Sequence, residues 1–242
     1  MDETTWKDYY KYEYPKFWVN RVKEYGFSRY HQIMQNLIDA KKGESVLECG
    51  IGTGEPFALR LARTGVNMFG IDLSQSLLDE CKKNATKWNV DINCVVADIE
   101  SMPFDDDSFD KTYCVSTTWY LPNLENALQE MFRVTKQGGI VMFDVINILH
   151  PTQAISYFTS MLMKNPWKAR SPFQINRMLR GIRANCKVKG FKVLLPVSLP
   201  LLHDKANLCK FSDLFSYGLQ DSALRYFGAK LVYVCKKDIY NG

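Results

Sequence analysis

The stretch VLECGIGTGEP, residues 46 to 56, sets Gly50, Gly52 and Gly54 at alternate positions between an apolar run and a helix-like segment. Glycine is costly to order, so three of them in five residues signal backbone conformations or close approaches that a side chain would forbid. Carboxylates stand around this turn: Glu48 just before it, Asp72 at the end of the next apolar run and Asp98 at the end of the one after. Such a set can hold a nucleoside, with one carboxylate accepting both ribose hydroxyls and another, or its neighbour's backbone, meeting an adenine amino group. Singly, each acid also reads as a cap or a solvated turn residue; their register with the glycines points to a ligand. The pattern is G-x-G-x-G, and the third glycine of a dinucleotide fingerprint is here Glu55, which opposes phosphate at a helix N-terminus. The acids Glu48, Glu55, Asp72 and Asp98 instead suit a nucleoside whose charged end is cationic.

These residues need a scaffold that brings strand ends together. SVLECG (45–50), VNMFGID (66–72), INCVVAD (92–98), FDKTYCVS (109–116) and GGIVMFDVI (138–146) read as buried strands. Between them, residues 55–64, 74–89 and 123–137 carry helical periodicity, with Ser74 as an N-cap. Alternation of this kind predicts a parallel sheet covered on both faces, which binds ligands at the carboxyl ends of its strands. Residues 171–187 open with a capping box, Ser171, Pro172 and Gln174, and are expected to be helical; FKVLLPVSL and AKLVYVCKK are expected as the last two strands. The first forty residues read as an aromatic helical cap containing Trp6, Tyr9, Tyr10, Tyr12, Tyr14, Phe17 and Trp18. The expected organisation is a cap or lid over 1–43 and one compact Rossmann-like domain over 44–242, with acceptor-site elements in 148–230.

S-adenosylmethionine, with its ammonium and sulfonium groups, is a nucleoside of the required charge. The segments VLECGIGTG, GIDLSQSLLDECKKN, ADIESMPFDDDSFD and NALQEMFRVTKQGG, spanning about 44 to 147, resemble the class I S-adenosylmethionine-dependent methyltransferases. The likeness is to the small-molecule branch typified by ubiquinone and menaquinone C-methyltransferases. It implies an α/β fold with a Rossmann-like seven-stranded mostly parallel sheet, helices on both faces, an antiparallel C-terminal strand and an N-terminal helical cap. It also implies that Gly50, Gly52 and Gly54 pass the methionine moiety beside Glu48, that Asp72 with Leu73 takes the ribose, and that Asp98 with Ile99 frames adenine. Ser116 would line the methionine end. Where the family often has His, this chain has Tyr120. S-adenosyl-L-homocysteine would be the product, and no metal is expected.

Methyl transfer asks for alignment and exclusion of water more than for acid–base groups. The aromatic cap, with Trp119 at the substrate and Tyr120, could supply that exclusion or could be plain core packing. One of Tyr9, Tyr10 and Tyr12 is expected to touch the cofactor, and Tyr12 is the candidate. A hydroxyl nucleophile benefits from a base near neutral pKa. Of the three histidines, His150 after the fifth strand is the candidate, with Asp144 at that strand's end; His31 lies in the cap and His203 before the last strand. From residue 145 to 203 there is no acidic residue, while Lys164, Lys168, Arg170, Arg177, Arg180, Arg183, Lys187, Lys189 and Lys192 all fall there. Either this is a solvated basic face, or Arg177 and Arg180 grip an acceptor bearing phosphate, carboxylate or a nucleotide diphosphate.

Net charge is +5, apolar and charged fractions are ordinary, and no apolar run reaches the 18 or so residues of a membrane span. The N-terminus lacks the basic and apolar regions of a signal peptide. The seven cysteines (49, 81, 94, 114, 186, 209 and 235) stand apart with no CxxC or zinc spacing, and are expected to be reduced core thiols of a cytoplasmic protein. The leading expectation is methyl transfer to a small, anionic acceptor, on oxygen. RNA methylation is the alternative suggested by the basic stretch, but neither an appended RNA-binding module nor a [DN]-P-P-[YFW] or Pro-Cys motif is present, so no nucleic-acid partner is expected. An NAD-linked oxidoreductase is the alternative on the same sheet, and a non-catalytic nucleoside binder is disfavoured by the intact acids.

Overall fold

The alternating apolar runs close into one seven-stranded sheet in the computed structural model, which describes residues 3–16, 29–162, 167–182, 184–191, 219 and 221–239. Strands β1 (Ser45–Cys49), β2 (Asn67–Asp72), β3 (Ile92–Val96), β4 (Phe109–Cys114), β5 (Thr135–Ile146), β6 (Ala184–Phe191) and β7 (Lys230–Lys237) lie in the order β3-β2-β1-β4-β5-β7-β6. Neighbours from β3 to β5 pair in parallel, and β7 runs antiparallel to both β5 and β6. This is the Rossmann-like, mostly parallel sheet with an antiparallel C-terminal strand that the sequence led us to expect. Strand order reverses between β1 and β4, so a crevice opens at their carboxyl ends.

Helices cover both faces. Helix α2 (Arg29–Ile38), α3 (Ala58–Ala62) and α4 (Gln75–Trp88) supply Met34, Ile38, Leu61, Leu78 and Cys81 to a core with Val46, Met68, Tyr113, Met142 and Val232. On the other face α1 (Glu3–Asp8), its π-helical continuation Tyr9–Glu13, α5 (Leu124–Val134) and α7 (Pro172–Leu179) pack Trp6, Tyr10, Leu128, Met131 and Ile175 against Leu47, Phe143 and Tyr233. Neighbouring strand residues go to opposite cores, as the pleat requires. A further helix, α6 (Pro151–Leu162), follows β5. Ser74 caps α4 by accepting from the Leu77 N–H, and Asn89 closes it in the left-handed region at φ 52°.

The region after residue 170 departs from expectation. The capping box of Ser171 and Gln174 forms, but α7 stops at Leu179, with Arg180 as its cap, and residues 184–191 are strand. Gly181 interrupts the helix, and Asn185, Lys187 against Cys186, Val188 alternate in burial as a strand should. FKVLLPVSL beyond Phe191 lies outside the described residues, as do Phe17, Trp18, Lys164, Arg183, Lys192 and His203. The expectation of uniformly reduced thiols is also overturned. Cys186 and Cys235 face each other across the β6–β7 pair and form a disulfide. Register explains it: two cysteines distant in sequence are cross-strand partners, which spacing along the chain does not reveal. Cys49, Cys81, Cys94 and Cys114 are free, with the Cys94 and Cys81 sulfurs 3.7 Å apart.

Where β6 leaves and the chain returns, the backbones touch. A Cβ on Gly190 would collide with the Arg225 carbonyl, and one on Gly228 would lie 2.7 Å from the Phe191 N. Asn147 ties β5 to the same place, its Nδ2 donating to the carbonyls of Tyr226 and Gly228 at 2.8 Å each.

Candidate active site

The glycine turn follows β1 at the switch point. Gly50 and Gly54 both hold φ +77°, a region closed to most side chains. A Cβ on Gly50 would lie 2.6 Å from Cγ2 and Oγ1 of Thr117, in the loop after β4, and one on Gly54 would lie 2.8 Å from Cys81 Sγ on α4. Protein atoms, not open space, therefore occupy the places of the missing side chains, and the turn is wedged between two neighbours. The Thr53 hydroxyl between these glycines is buried with no hydrogen-bond partner, and so is Trp6 Nε1 on the covering helix. An orphaned buried polar atom costs about 1–3 kcal/mol.

Asp72 ends β2 half-buried. Its Oδ2 accepts from the Gly52 N–H at 3.0 Å and its Oδ1 from the Ser74 N–H at 3.0 Å. Burial pushes its pKa up to about 6, against the opposing backbone donors of Ser74, Gly52 and Leu73. Each oxygen keeps lone-pair capacity, so a vicinal diol could still donate to the pair. Leu73 packs, partly buried, against the core beside it. Asp98, after β3, accepts from the Glu100 N–H at 2.9 Å and pairs with Lys7 Nζ of α1 at 2.7 Å; Ile99 behind it is buried. Glu48 is buried on β1 and accepts from the Tyr113 hydroxyl at 2.8 Å. Burial raises its pKa to about 8, more than the Tyr113 bond lowers it, so at neutral pH it carries a proton and adds no standing charge to the acidic set. These acceptors suit a ribose and an adenine edge, and so fit the nucleoside part of S-adenosylmethionine.

After β4, Ser116 sits at φ +62°, strained for a residue with a side chain. Asp144, fully buried on β5, holds it there: Oδ1 accepts from the Ser116 N–H at 2.7 Å, and the Asp144 carbonyl accepts from the Thr118 hydroxyl. Asp144 Oδ2 accepts from the Tyr30 hydroxyl of α2 at 2.6 Å and lies 3.6 Å from Lys230 Nζ of β7. That ammonium stands 4.9 Å from the Tyr30 ring centre and 4.5 Å from that of Trp119. His31 adjoins Tyr30, and its pKa is lowered by burial and then by the Lys230 charge, with Asp144 opposing. The opposite wall is aromatic: Tyr10 and Tyr14 lie 4.9 and 5.4 Å from Tyr120, and Tyr14 Oη donates to Tyr120 Oη at 3.5 Å.

Gly50, Gly52, Asp72, Leu73, Ser116, Trp119, Tyr120 and Asp144 thus cluster at neighbouring strand ends, with Glu48 beneath. Others among the expected residues stand apart. Tyr12 is 57% exposed, and the helix turns Tyr10 and Tyr14 inward in its place. His150 is buried at the start of α6, its Nδ1 2.9 Å from the Thr152 hydroxyl. Arg177 and Arg180 lie exposed on the outside of α7, whose inward residue is Ile175. Asp144 positions the Ser116 loop through Oδ1 and its backbone carbonyl, while Oδ2 faces Tyr30. The sequence reading missed Tyr30, Lys230, Lys7 and Thr117. Tyr30 had a signal: it continues the four-residue stripe of Met34 and Ile38.

Residues 47–143 match the methyltransferase domain family. A 24-methylenesterol C-methyltransferase 2 of Oryza sativa subsp. japonica is 33% identical over 178 residues, 69% of this chain and 46% of that protein. The phthiotriol/phenolphthiotriol dimycocerosates methyltransferase of Mycobacterium tuberculosis is 34% identical over 146 residues, 59% of this chain and 52% of its own length. The chain spans about half the length of these two relatives. A Thermotoga maritima structure described as a SAM-dependent methyltransferase, possible histamine N-methyltransferase, superposes with a TM-score of 0.64 at 18% identity, covering 93% of this chain and 98% of that one, which is a likeness of fold. With the glycine turn, the Asp72 tie and the sheet order in place, residues 47–143 are a methyltransferase domain on a Rossmann-like sheet.

Proposed function

We propose that this chain transfers a methyl group from S-adenosylmethionine to the oxygen of a small anionic acceptor seated between Ser116, Trp119 and Lys230. The observation that carries the nucleoside half is the Asp72–Gly52 bond of 3.0 Å, which joins the ends of β1 and β2 through a carboxylate with acceptor capacity to spare. The acceptor half rests on Lys230, a cation beside the Ser116 loop. Bound cofactor supplies an electrophilic methyl group on sulfur. In this reading Ser116, fixed by Asp144, lines the reacting end; Lys230 steadies the acceptor's charge; and His31, biased toward its neutral form, takes the hydroxyl proton. Residues 1–43 act as a lid on the 44–242 domain, a role supported by the Lys7–Asp98 pair and the Tyr10–Tyr120 contact. Closed, that aromatic wall excludes water.

A second reading, methylation at carbon, is favoured by the same wall. Tyr10, Tyr14, Tyr120 and Trp119 present ring faces that can stabilise electron-poor carbon, and the rice relative is named for C-methylation of a sterol. The test begins with melting curves: S-adenosylmethionine and S-adenosylhomocysteine raise the melting temperature, NAD does not, and Asp72→Ala removes the shift. Labelled methyl transfer to panels of hydroxylated anions and of alkenes then decides between oxygen and carbon. A shift with NAD alone would overturn both readings.

A further inference from the structure

The acid-free segment carries a face that the methyl-transfer site does not use. From Val145 to Met163 the chain contains no Asp, Glu, Lys or Arg, and α6 lies within that span. Ile155 and Phe158, one turn apart on α6, are 66% and 64% exposed, and Leu149 just before the helix is exposed too. The outward side of a water-facing helix is normally polar, and exposed apolar clusters mark contact surfaces. On α7, Phe173 is 76% exposed and Arg177 and Arg180 follow it at the four- and seven-residue spacing of one helical stripe. Among the described residues no carboxylate pairs with either arginine, and both stand within the stretch from 145 to 203 that has no acid at all.

We infer that α6 and α7 dock the protein on an anionic phospholipid bilayer surface, with Ile155, Phe158 and Phe173 in the acyl boundary and Arg177 and Arg180 among the headgroups. Charge and apolarity together select this occupant. Nucleic acid would use the arginines but leave an exposed isoleucine and phenylalanine in water, and an isologous contact with a second copy would set the cationic faces against each other. A bilayer interface satisfies both, and no helix among the described residues is long and apolar enough to cross it. The inference is independent of which atom, if any, is methylated.

Co-sedimentation of the full chain with vesicles tests it, using phosphatidylcholine alone and phosphatidylcholine with about 30 mol% phosphatidylserine. The protein is expected to partition onto the anionic vesicles, to leave them as salt is raised, and to ignore the neutral ones. Arg177→Gln with Arg180→Gln should weaken partitioning about fivefold per site, roughly thirtyfold together. Ile155→Ser with Phe158→Ser should weaken it by at least about tenfold. Melting temperatures should not change, since the four side chains are exposed. No binding by the unaltered chain, equal binding to neutral vesicles, or indifference to both variant pairs would overturn the inference. A concentration-dependent dimer that Ile155→Ser with Phe158→Ser abolishes, without vesicle binding, would assign the face to a second copy and overturn it equally.

Discussion

Replacing Gly50 by alanine separates two demands on the glycine turn. At φ +77° a Cβ costs about 1–2 kcal/mol through its clash with the backbone. The same Cβ lies 2.6 Å from two Thr117 atoms and 3.0 Å from its Cβ, an overpacking that costs about 1–3 kcal/mol more because the loop after β4 must shift. Gly50→Ala should therefore lose about 2–5 kcal/mol in urea unfolding. Thr117→Ala removes both 2.6 Å contacts but leaves φ untouched. In the double variant about 1–3 kcal/mol should return as coupling, with about 1–2 kcal/mol of conformational strain remaining. Titration with S-adenosylhomocysteine should follow the same cycle, with affinity at least about tenfold lower in Gly50→Ala and largely restored in the double variant. If Gly50→Ala costs less than about 0.5 kcal/mol, or the two changes simply add, the turn is not wedged against Thr117 and the reasoning fails.

Asp72, at about pKa 6, supplies a pH signature. Its folded pKa lies above the unfolded value of 3.8, so the ligand-free protein binds the proton more tightly than the unfolded chain does. Stability from this group is then greatest below about pH 4 and is lost as pH rises through 6. A ribose that needs the carboxylate works against that proton, so cofactor affinity should fall tenfold per pH unit below about 6; Asp72→Asn should bind weakly at every pH, and a flat wild-type profile would remove Asp72 from the role. Tyr30→Phe deletes the 2.6 Å bond to Asp144 and should lower kcat while leaving the S-adenosylhomocysteine dissociation constant within about twofold, read by stopped turnover and calorimetry. Cys186→Ser opens a loop of sequence separation 49 and should cost about 4 kcal/mol on chain-entropy grounds; an unchanged denaturation midpoint, with and without reductant, would argue against the bridge.

The nucleoside half was legible because its signals are local. Glycines at alternate positions, a capping Ser74 and acids at strand ends are properties of short segments, and their fold follows from strand–helix alternation. Of the charged cluster beside Ser116, Asp144 was legible at the end of its strand, whereas Tyr30 and Lys230 were not, because only the β5–β7 pairing and the packing of α2 bring them to it. Tyr12 failed for a similar reason. Aromatics recur so often through Tyr9–Tyr14 that composition cannot say which ones turn inward, and the π-helical turn selects Tyr10 and Tyr14. The strand at 184–191 was hidden because Ile182 and Cys186 also fit a helical stripe, and the Cys186–Cys235 bridge depends on the register of that hidden strand.

Gly190, Gly228 and the Asn147 side chain gather the outgoing and returning backbones at a single point beside β7. The sheet's own residues thereby fix where β6 ends at Phe191 and where the chain re-enters beside Arg225. That crossing is a pinned point of the fold: any side chain added at Gly190 must push the Arg225 backbone aside, and with it the approach to β7.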